Sequence, residues 1–394
     1  MNLIFFNDNR SAFLPLTYTR PLPKLRIGIL TIEEKWLAYF DKKGVTPSVS
    51  YLVEDYLSKK YPAKVDDINL FVNSRFLPGK RLTDFVISNL IADEALFYNG
   101  SLVAAKCTWK QFNEQSYYIK DTNESLIGIE LKKLTDFFIH NGQAIEDDFD
   151  LLTEGRKSEP ISSTNTVIGN RIFLEAGARV EAAVLNATTG AIYIGKNAEV
   201  MEGSLVRGGL ALCEGAALKM GAKLYGPTTI GMHSKIGGEV TNCVVQDFSN
   251  KGHDGFIGNS VIGSWCNLGA DTNTSNLKNN YGEVKIWDFS KHQLVNSGLQ
   301  FCGLLMGDHS KCGINTMFNT GTTVGVSANV FDSGFPPKHV PSFSWGGSAG
   351  FQDYDLNKMF DVAARVMERR GMHLEDEDRA ILTSIYQQTA QFRQ

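Results

Sequence analysis

Large aliphatic residues recur at six-residue spacing through the middle of the chain: Ile194, Val200, Val206, Leu212, Leu218, Leu224, Ile230 and Ile236. Neither the 3.6-residue period of an amphipathic helix nor the simple alternation of a half-buried strand produces this spacing. A hexapeptide period with glycine or small residues between the aliphatics belongs to a β-solenoid, in which each coil stacks on the last and shares its core. The pattern predicts a left-handed parallel β-helix. Its register also holds at Ile168, Leu174 and Val180, shifts by two across Ala187-Thr188-Thr189-Gly190, and returns at Phe256, Ile262 and Leu268 and again at Phe318, Val324 and Val330. Between Asp271 and Gly313 it breaks. Thr272-Asn273-Thr274-Ser275-Asn276 and Lys278-Asn279-Asn280-Tyr281 are rich in turn formers, and are expected to leave the coil as a functional loop.

The flanks have a different texture. Leu3-Ile4-Phe5-Phe6 and Ile68-Asn69-Leu70-Phe71-Val72 read as buried strands, while Ile29 to Phe40 and Leu82 to Ile91 have helical spacing. Strands alternating with helices predict an α/β domain over residues 1–155 with a partly parallel sheet. Thr153 to Pro160 is a polar connector containing glycine and proline, so the solenoid is expected over 160–350. Beyond it, Leu356, Met359, Phe360, Ala363, Val366 and Met367 form one apolar stripe, Gly371 stops it, and Ile381, Leu382, Ile385 and Tyr386 form another. Residues 351–394 therefore read as two helices, expected to cap the exposed last coil.

Composition narrows the function. A formal net charge of -4 at pH 7 and no local Lys/Arg cluster give no electrostatic field for nucleic acid. No apolar run is long enough to span a bilayer, and the first residues lack the basic region and cleavage site of a secretory signal, so the expected location is the cytoplasm. The six cysteines, Cys107, Cys213, Cys243, Cys266, Cys302 and Cys312, show no paired spacing and are expected as buried thiols.

A parallel β-helix of hexads is a recurrent acyltransferase scaffold. An amine or hydroxyl attacking a thioester must lose a proton, which calls for a base that titrates near neutrality. His253 lies in Ser249-Asn250-Lys251-Gly252-His253-Asp254-Gly255-Phe256-Ile257-Gly258-Asn259, a polar, glycine-rich turn leading into a coil. His309, in Gly307-Asp308-His309-Ser310-Lys311, is the second candidate. The tetrahedral intermediate also needs a donor for its oxyanion, which a backbone N–H in a glycine-rich turn supplies.

Lys251-Gly252-His253 through Gly258-Asn259, followed by Asn267-Leu268-Gly269-Ala270 and Thr272-Asn273-Thr274-Ser275-Asn276, resembles the acetyltransferase domain of the bifunctional N-acetylglucosamine-1-phosphate uridyltransferase/glucosamine-1-phosphate acetyltransferase family. The chain looks like the alternate bacterial branch of that family, with a shortened N-terminal domain. By this resemblance His253 is the base that deprotonates the glucosamine amine, and the Ala270 N–H faces the thioester carbonyl. Arg207, in Val206-Arg207-Gly208-Gly209, holds the sugar phosphate, which suits the planar fork of a guanidinium. Asn267 and Asn276 contact the sugar, and Lys251 joins the substrate ligands. Acetyl-CoA is the implied acyl donor, and a homotrimer with acyl-CoA between neighbouring solenoids is the implied assembly. The chain departs from the family pattern at Thr241, where a sugar-phosphate lysine is usual, and at Phe256, Asp271 and Leu277. Lys235, Lys251 or Lys278 could replace the missing cation.

The same resemblance gives the N-terminal domain a nucleotide. Phe6-Asn7-Asp8-Asn9-Arg10 follows the first strand where the family has a glycine-rich phosphate loop, and asparagine and aspartate are the non-glycine residues best able to keep a positive φ there. Asn7, Arg10, Arg20, Lys24 and Arg26 are the implied ligands of UTP or another nucleoside triphosphate, with Leu16 in place of the family's phosphate lysine. Mg²⁺ is the implied cofactor of nucleotidyl transfer, but Asn73 stands where a metal-binding aspartate is usual, so the metal ligands stay unassigned. Three readings remain open: a bifunctional enzyme making UDP-N-acetylglucosamine or a related sugar nucleotide, an acyltransferase with an N-terminal nucleotide-sugar-binding or regulatory module, and a non-enzymatic solenoid scaffold.

Overall fold

The computed structural model describes residues 1–393 and divides into two compact units. The first comprises Met1–Phe13, Thr19–Leu25 and Leu30–Lys132, and the second comprises Leu14–Tyr18, Arg26–Ile29 and Lys133 onward.

A six-stranded mixed sheet centres the first unit. Asn2–Phe6 lies in parallel between Ser48–Tyr51 and Asn69–Asn73, and Ser101–Cys107 then joins Asn69–Asn73 antiparallel. The two apolar runs read as strands are thus adjacent at its centre, where Ile4 and Phe71 pack with Ala95, Ala105 and Cys107. Helix Ile32–Lys42 begins with a full capping box, Thr31 and Glu34 each bonding the other's backbone N–H. None of Asn7, Asp8 and Asn9 adopts a positive φ. The loop after the first strand instead closes through the Asn7 side chain, which accepts from the Asn9 N–H at 3.0 Å, and Arg10–Phe13 follows as a 3₁₀ turn.

The second unit is a parallel β-helix with faces of nine, ten and six strands, and the ten-stranded face ends in an antiparallel strand. Along the nine-stranded face Leu174, Ile194, Leu212, Ile230, Val245, Ile262, Met306, Val324 and Val340 stand one above another in register and are all buried. Each such side chain gains about 1.5–3 kcal/mol by leaving water, and stacking makes the gain continuous from coil to coil. Helix Asp136–Thr153 packs on this face, burying Ile145 and Phe149 against Phe173, Ala191, Tyr193 and Ala211.

The sequence register fails at two places. In the edge strand of the six-stranded face Val167, not Ile168, is aligned with buried Leu185, although both are exposed, at 44% and 42%. Ile257, not Phe256, continues the inward column of the six-stranded face above Val240. In both places adjacent apolar residues offered two registers, and coil stacking chose the other. The turn-rich segment also behaves differently from expectation. Thr272 and Thr274 are buried in a coil whose strand Asn273–Thr274 pairs with Met317–Phe318, because their hydroxyls bond backbone and neighbouring groups. The excursion from the solenoid comes later and carries the hairpin Lys285–Asp288 with Gln293–Asn296.

All six cysteines are buried, and none forms a disulfide among the described residues. The two C-terminal helices are Leu356–Glu368 and Asp376–Gln388. The first runs back along the ten-stranded face, since Arg370 just beyond it reaches the side chain of Asn250 in a middle coil at 3.4 Å, and the second returns toward the last coils, where Tyr386 bonds Asp353 at 3.1 Å. Among the described residues no helix is long and apolar enough to cross a membrane.

The register makes contrasting demands on neighbouring aliphatics. Leu174→Ala is expected to lower unfolding free energy by about 2–5 kcal/mol, whereas Ile168→Ala should change it by less than about 0.5 kcal/mol. Urea denaturation followed by far-ultraviolet circular dichroism tests the pair, and equal losses would contradict the register.

Candidate active site

His253 is exposed on the turn joining Asn250–Lys251 of the ten-stranded face to Phe256–Gly258 of the six-stranded face. Four neighbours fix this turn. Below it, a Cβ on Gly237 would meet the Gly252 carbonyl oxygen at 2.9 Å, so only glycine lets the coils approach. Above it, the Asp271 N–H donates to the Asp254 carbonyl at 2.9 Å, and the Phe256 N–H donates to Asn273 Oδ1 at 2.9 Å. From inside, Lys251 donates its Nζ to the carbonyls of His253 and Asp254 at 2.6 and 2.7 Å.

Lys251 departs furthest from its expected role. It occupies an inward position directly above Ile236 and is only 1% exposed. An uncompensated ammonium there would be costly, but two carbonyls solvate it while its methylene stem fills the core. Burial pushes its pKa down to about 8, with the charges of Asp254, Cys312 and Asp271 pulling the other way. The residue named as a substrate ligand therefore braces the turn that carries His253.

Asn250 is registered to Asn267, which places Ala270 one coil above His253 at the same corner, about 4.8 Å away along the solenoid. Ala270's carbonyl accepts from Asn315, but its N–H makes no hydrogen bond among the described residues. A base and an open backbone donor thus stand one above the other, with exposed Asn267 on the adjoining strand. That arrangement offers what attack on a thioester requires: proton removal and a donor for the oxyanion.

Arg207 and Asn276 lie elsewhere. Arg207 ends the strand Leu205–Arg207, and the register runs from it through Tyr225 and Thr241 to Gly258, three strands up, or about 14 Å. Asn276 donates to Asn259 at 2.8 Å at the end of the same face remote from His253. Within one chain these two share an edge of the six-stranded face, but not the His253 corner. His309 belongs to a third corner. With His233, Phe248 and Trp265 it adopts φ between 57° and 64°, and the four rings stack with centroid spacings of 5.4, 4.2 and 6.2 Å. Stacking offsets the left-handed backbone, which makes His309 a ladder member.

In the first unit Arg10 pairs with Glu54 at 3.2 Å and lies against Tyr56, and Lys24 pairs with Glu33 at 2.9 Å. Arg20 is half-buried. Arg26 belongs to the second unit, where it is buried and pairs with Asp247 at 3.1 Å while donating to the Ile29 carbonyl at 2.6 Å. It holds its own segment to the solenoid. Sequence reasoning passed over Arg75, although it follows Asn73 at the end of a central strand. Its guanidinium bridges Asp8 and Glu130, the latter at 2.8 Å, and although burial alone would lower its pKa, Asp8 and then Glu130 hold it above the ordinary value. The Asn73 amide is also engaged: Nδ2 donates to the Leu102 carbonyl and Oδ1 accepts from the Arg75 N–H. The donor set at this strand end does not fit Mg²⁺, because its two carboxylates are taken by a guanidinium and its amide by the backbone.

Residues 3–157 match the family model for sugar nucleotidyl transferase. A bifunctional sugar-1-phosphate nucleotidylyltransferase/acetyltransferase from Sulfurisphaera tokodaii is 27% identical over 49% of this chain and 47% of its own length. The bifunctional protein GlmU of Methanocaldococcus jannaschii is 32% identical over 25% of this chain and 24% of its own. The chain thus spans about half the length, or less, of these curated relatives. Among solved structures, the polysialic-acid-specific acetyltransferase NeuO matches 49% of this chain and 87% of its own at 13% identity and a TM-score of 0.27. The resemblance read from the sequence is found again in these relatives, and the architecture is a nucleotidyltransferase-like domain, a β-solenoid and C-terminal helices.

The buried ammonium makes stability depend on pH. Between the folded pKa of about 8 and the ordinary 10.5, the unfolded chain binds more protons than the folded one, so the contribution of Lys251 to stability rises with pH across that window. Lys251→Met removes the titration. The difference in unfolding free energy between wild type and variant should therefore shift in favour of wild type from pH 8 to 10.5, as read by denaturant titrations. A pH-independent difference would contradict the buried, titrating ammonium.

Proposed function

We propose that the chain is a transferase of sugar-nucleotide synthesis that N-acetylates glucosamine 1-phosphate from acetyl-CoA on the solenoid and takes UTP or another nucleoside triphosphate on its N-terminal unit. The observation that carries this reading is the placement of His253 directly below the open N–H of Ala270 on a turn braced from the core. His253 takes a proton from the sugar amine as nitrogen attacks the thioester carbonyl. The Ala270 N–H donates to the oxyanion, and the thiolate leaves as the C–S bond breaks. Asn267 is close enough to this corner to orient the sugar. In the proposed homotrimer, a neighbouring chain covers the exposed corner and supplies the other wall of the acyl-CoA site. The relatives named for both activities and the sugar nucleotidyl transferase match support the two-part character.

A second reading, acyl transfer alone with a nucleotide-binding N-terminal unit, is favoured by the way Arg75 takes up Asp8 and Glu130. Mg²⁺, the cofactor expected of nucleotidyl transfer, has no fitting donor set there, and no step is assigned to it.

Two outcomes are expected. His253→Ala should reduce acetylation of glucosamine 1-phosphate by roughly 10²-fold or more, measured by mass spectrometry of the product, with an unchanged circular dichroism spectrum and a trimeric mass by light scattering. Turnover within about threefold of wild type would remove His253 from the reaction. For the N-terminal unit, Arg10→Ala should weaken UTP binding by about ten- to a hundredfold in calorimetry. Absence of nucleotide binding at millimolar concentration would leave only the acyltransferase.

A further inference from the structure

Lys219, Lys235, Arg369 and Arg370 come together on the outside of the ten-stranded face. Lys235 stands in register between Ala217 and Asn250, Lys219 follows the strand Ala217–Leu218, and the end of helix Leu356–Glu368 brings Arg370 to within 3.4 Å of Asn250 Oδ1. None of the four makes an ion pair among the described residues. Arg370 and Arg369 do gain from the negative end of the helix dipole, worth about 0.3–1 kcal/mol at an exposed helix end. Lys219 and Lys235 belong to the solenoid, however, and the four charges repel one another. Burial and then the charges of Arg370, Lys219 and Arg369 lower the pKa of Lys235, with Glu199, two strands down the same face, pulling the other way. Burial and Arg369 likewise lower that of Arg370.

Converging cations without carboxylate partners describe an anion site. Its position matters. Asn250, whose side chain Arg370 touches, is three residues before His253, so its Cα is at most roughly 10 Å from that of the proposed base. Arg207 is three strands below the coil of Phe256–Gly258 and at the far edge of the six-stranded face. Thr241 supplies no charge where the related enzymes were expected to have a lysine.

We propose that Lys235 and Arg370, supported by Lys219 and Arg369, form a phosphomonoester site beside the His253 turn. The proposal rests on the acyltransfer reading for the identity of its ligand. The phosphate of glucosamine 1-phosphate and the 3′-phosphate of CoA share this chemistry. Occupation would neutralise the mutual repulsion, so the C-terminal helix becomes part of the site by delivering Arg370.

Calorimetry and thermal melts on full-length wild type, Lys235→Gln, Arg370→Gln and His253→Ala test the site. The probes are inorganic phosphate, glucosamine 1-phosphate against glucosamine, and CoA against 3′-dephospho-CoA. Wild type should bind phosphate with a rise in Tm, and each charge-removing variant should bind the phosphorylated probe about ten- to a hundredfold more weakly. The variants should also melt at or above the wild-type temperature without ligand, because repulsion is relieved, whereas loss of a structural contact would lower it. Preference for glucosamine 1-phosphate over glucosamine that Lys235→Gln abolishes assigns the site to the sugar, and preference for CoA over dephospho-CoA that it abolishes assigns it to CoA. Equal phosphate binding by wild type and both variants, or no binding by wild type at millimolar phosphate, overturns the site. Binding retained by His253→Ala but lost in Lys235→Gln upholds it even if His253 proves not to be the base.

Discussion

Each coil of the solenoid hydrogen-bonds in parallel to the coil beneath it, so the height and face of a residue are set by register before its own chemistry is expressed. Asn250 opposite Asn267 puts Ala270 above His253, and Lys235 opposite Asn250 puts a lysine beside the same turn. A slip of one residue would turn the inward column outward and scatter all of these groups. Stacked aliphatics such as Leu212, Ile230 and Val245 resist that slip, because each inward position has a buried neighbour above and below. The candidate chemistry is built at the corners, where the chain leaves one face for the next and backbone donors are not spent on the ladder.

Lys251 is the exception that gives the His253 corner its character. Every other inward residue of that column from Val180 to Ile236 is aliphatic, and a lysine there weakens the core by the burial of its charge. In return its ammonium bonds two successive carbonyls of the turn, a constraint that an aliphatic residue could not supply. Core stability is thus reduced locally at the one coil where the positions of backbone atoms matter most for the proposed reaction.

The hexads made the solenoid legible because period and burial are read along a single chain segment. Two registers were misread where aliphatic or aromatic neighbours stood side by side, as at Val167-Ile168 and Phe256-Ile257, since composition alone does not say which of two adjacent apolar residues points inward. Thr272 and Thr274 were read as loop because their segment is rich in turn formers, yet here their hydroxyls find partners inside the coil. His253 and Ala270 were legible as a pair through the resemblance, and stacking brought them together. The roles of Arg26, Arg75 and Lys251 were not legible. Asp247 is 221 positions from Arg26 and Asp8 is 67 from Arg75, and such pairings are decided only by tertiary folding.

Charge placement separates the two candidate sites physically. In the first unit the central cation, Arg75, is saturated by Asp8 and Glu130, so an incoming phosphate would have to compete with carboxylates already held at hydrogen-bond distance. On the solenoid, Lys219, Lys235, Arg369 and Arg370 make no ion pair among the described residues, and in the proposed site a phosphate would relieve their mutual repulsion. The difference between filled and unfilled charge is therefore a stronger guide to where an anionic substrate gains free energy than the number of basic residues in either segment. In the proposed site the C-terminal helix Leu356–Glu368 has a role beyond covering apolar surface, because the residues that follow it bring Arg370 to Asn250 on the ten-stranded face.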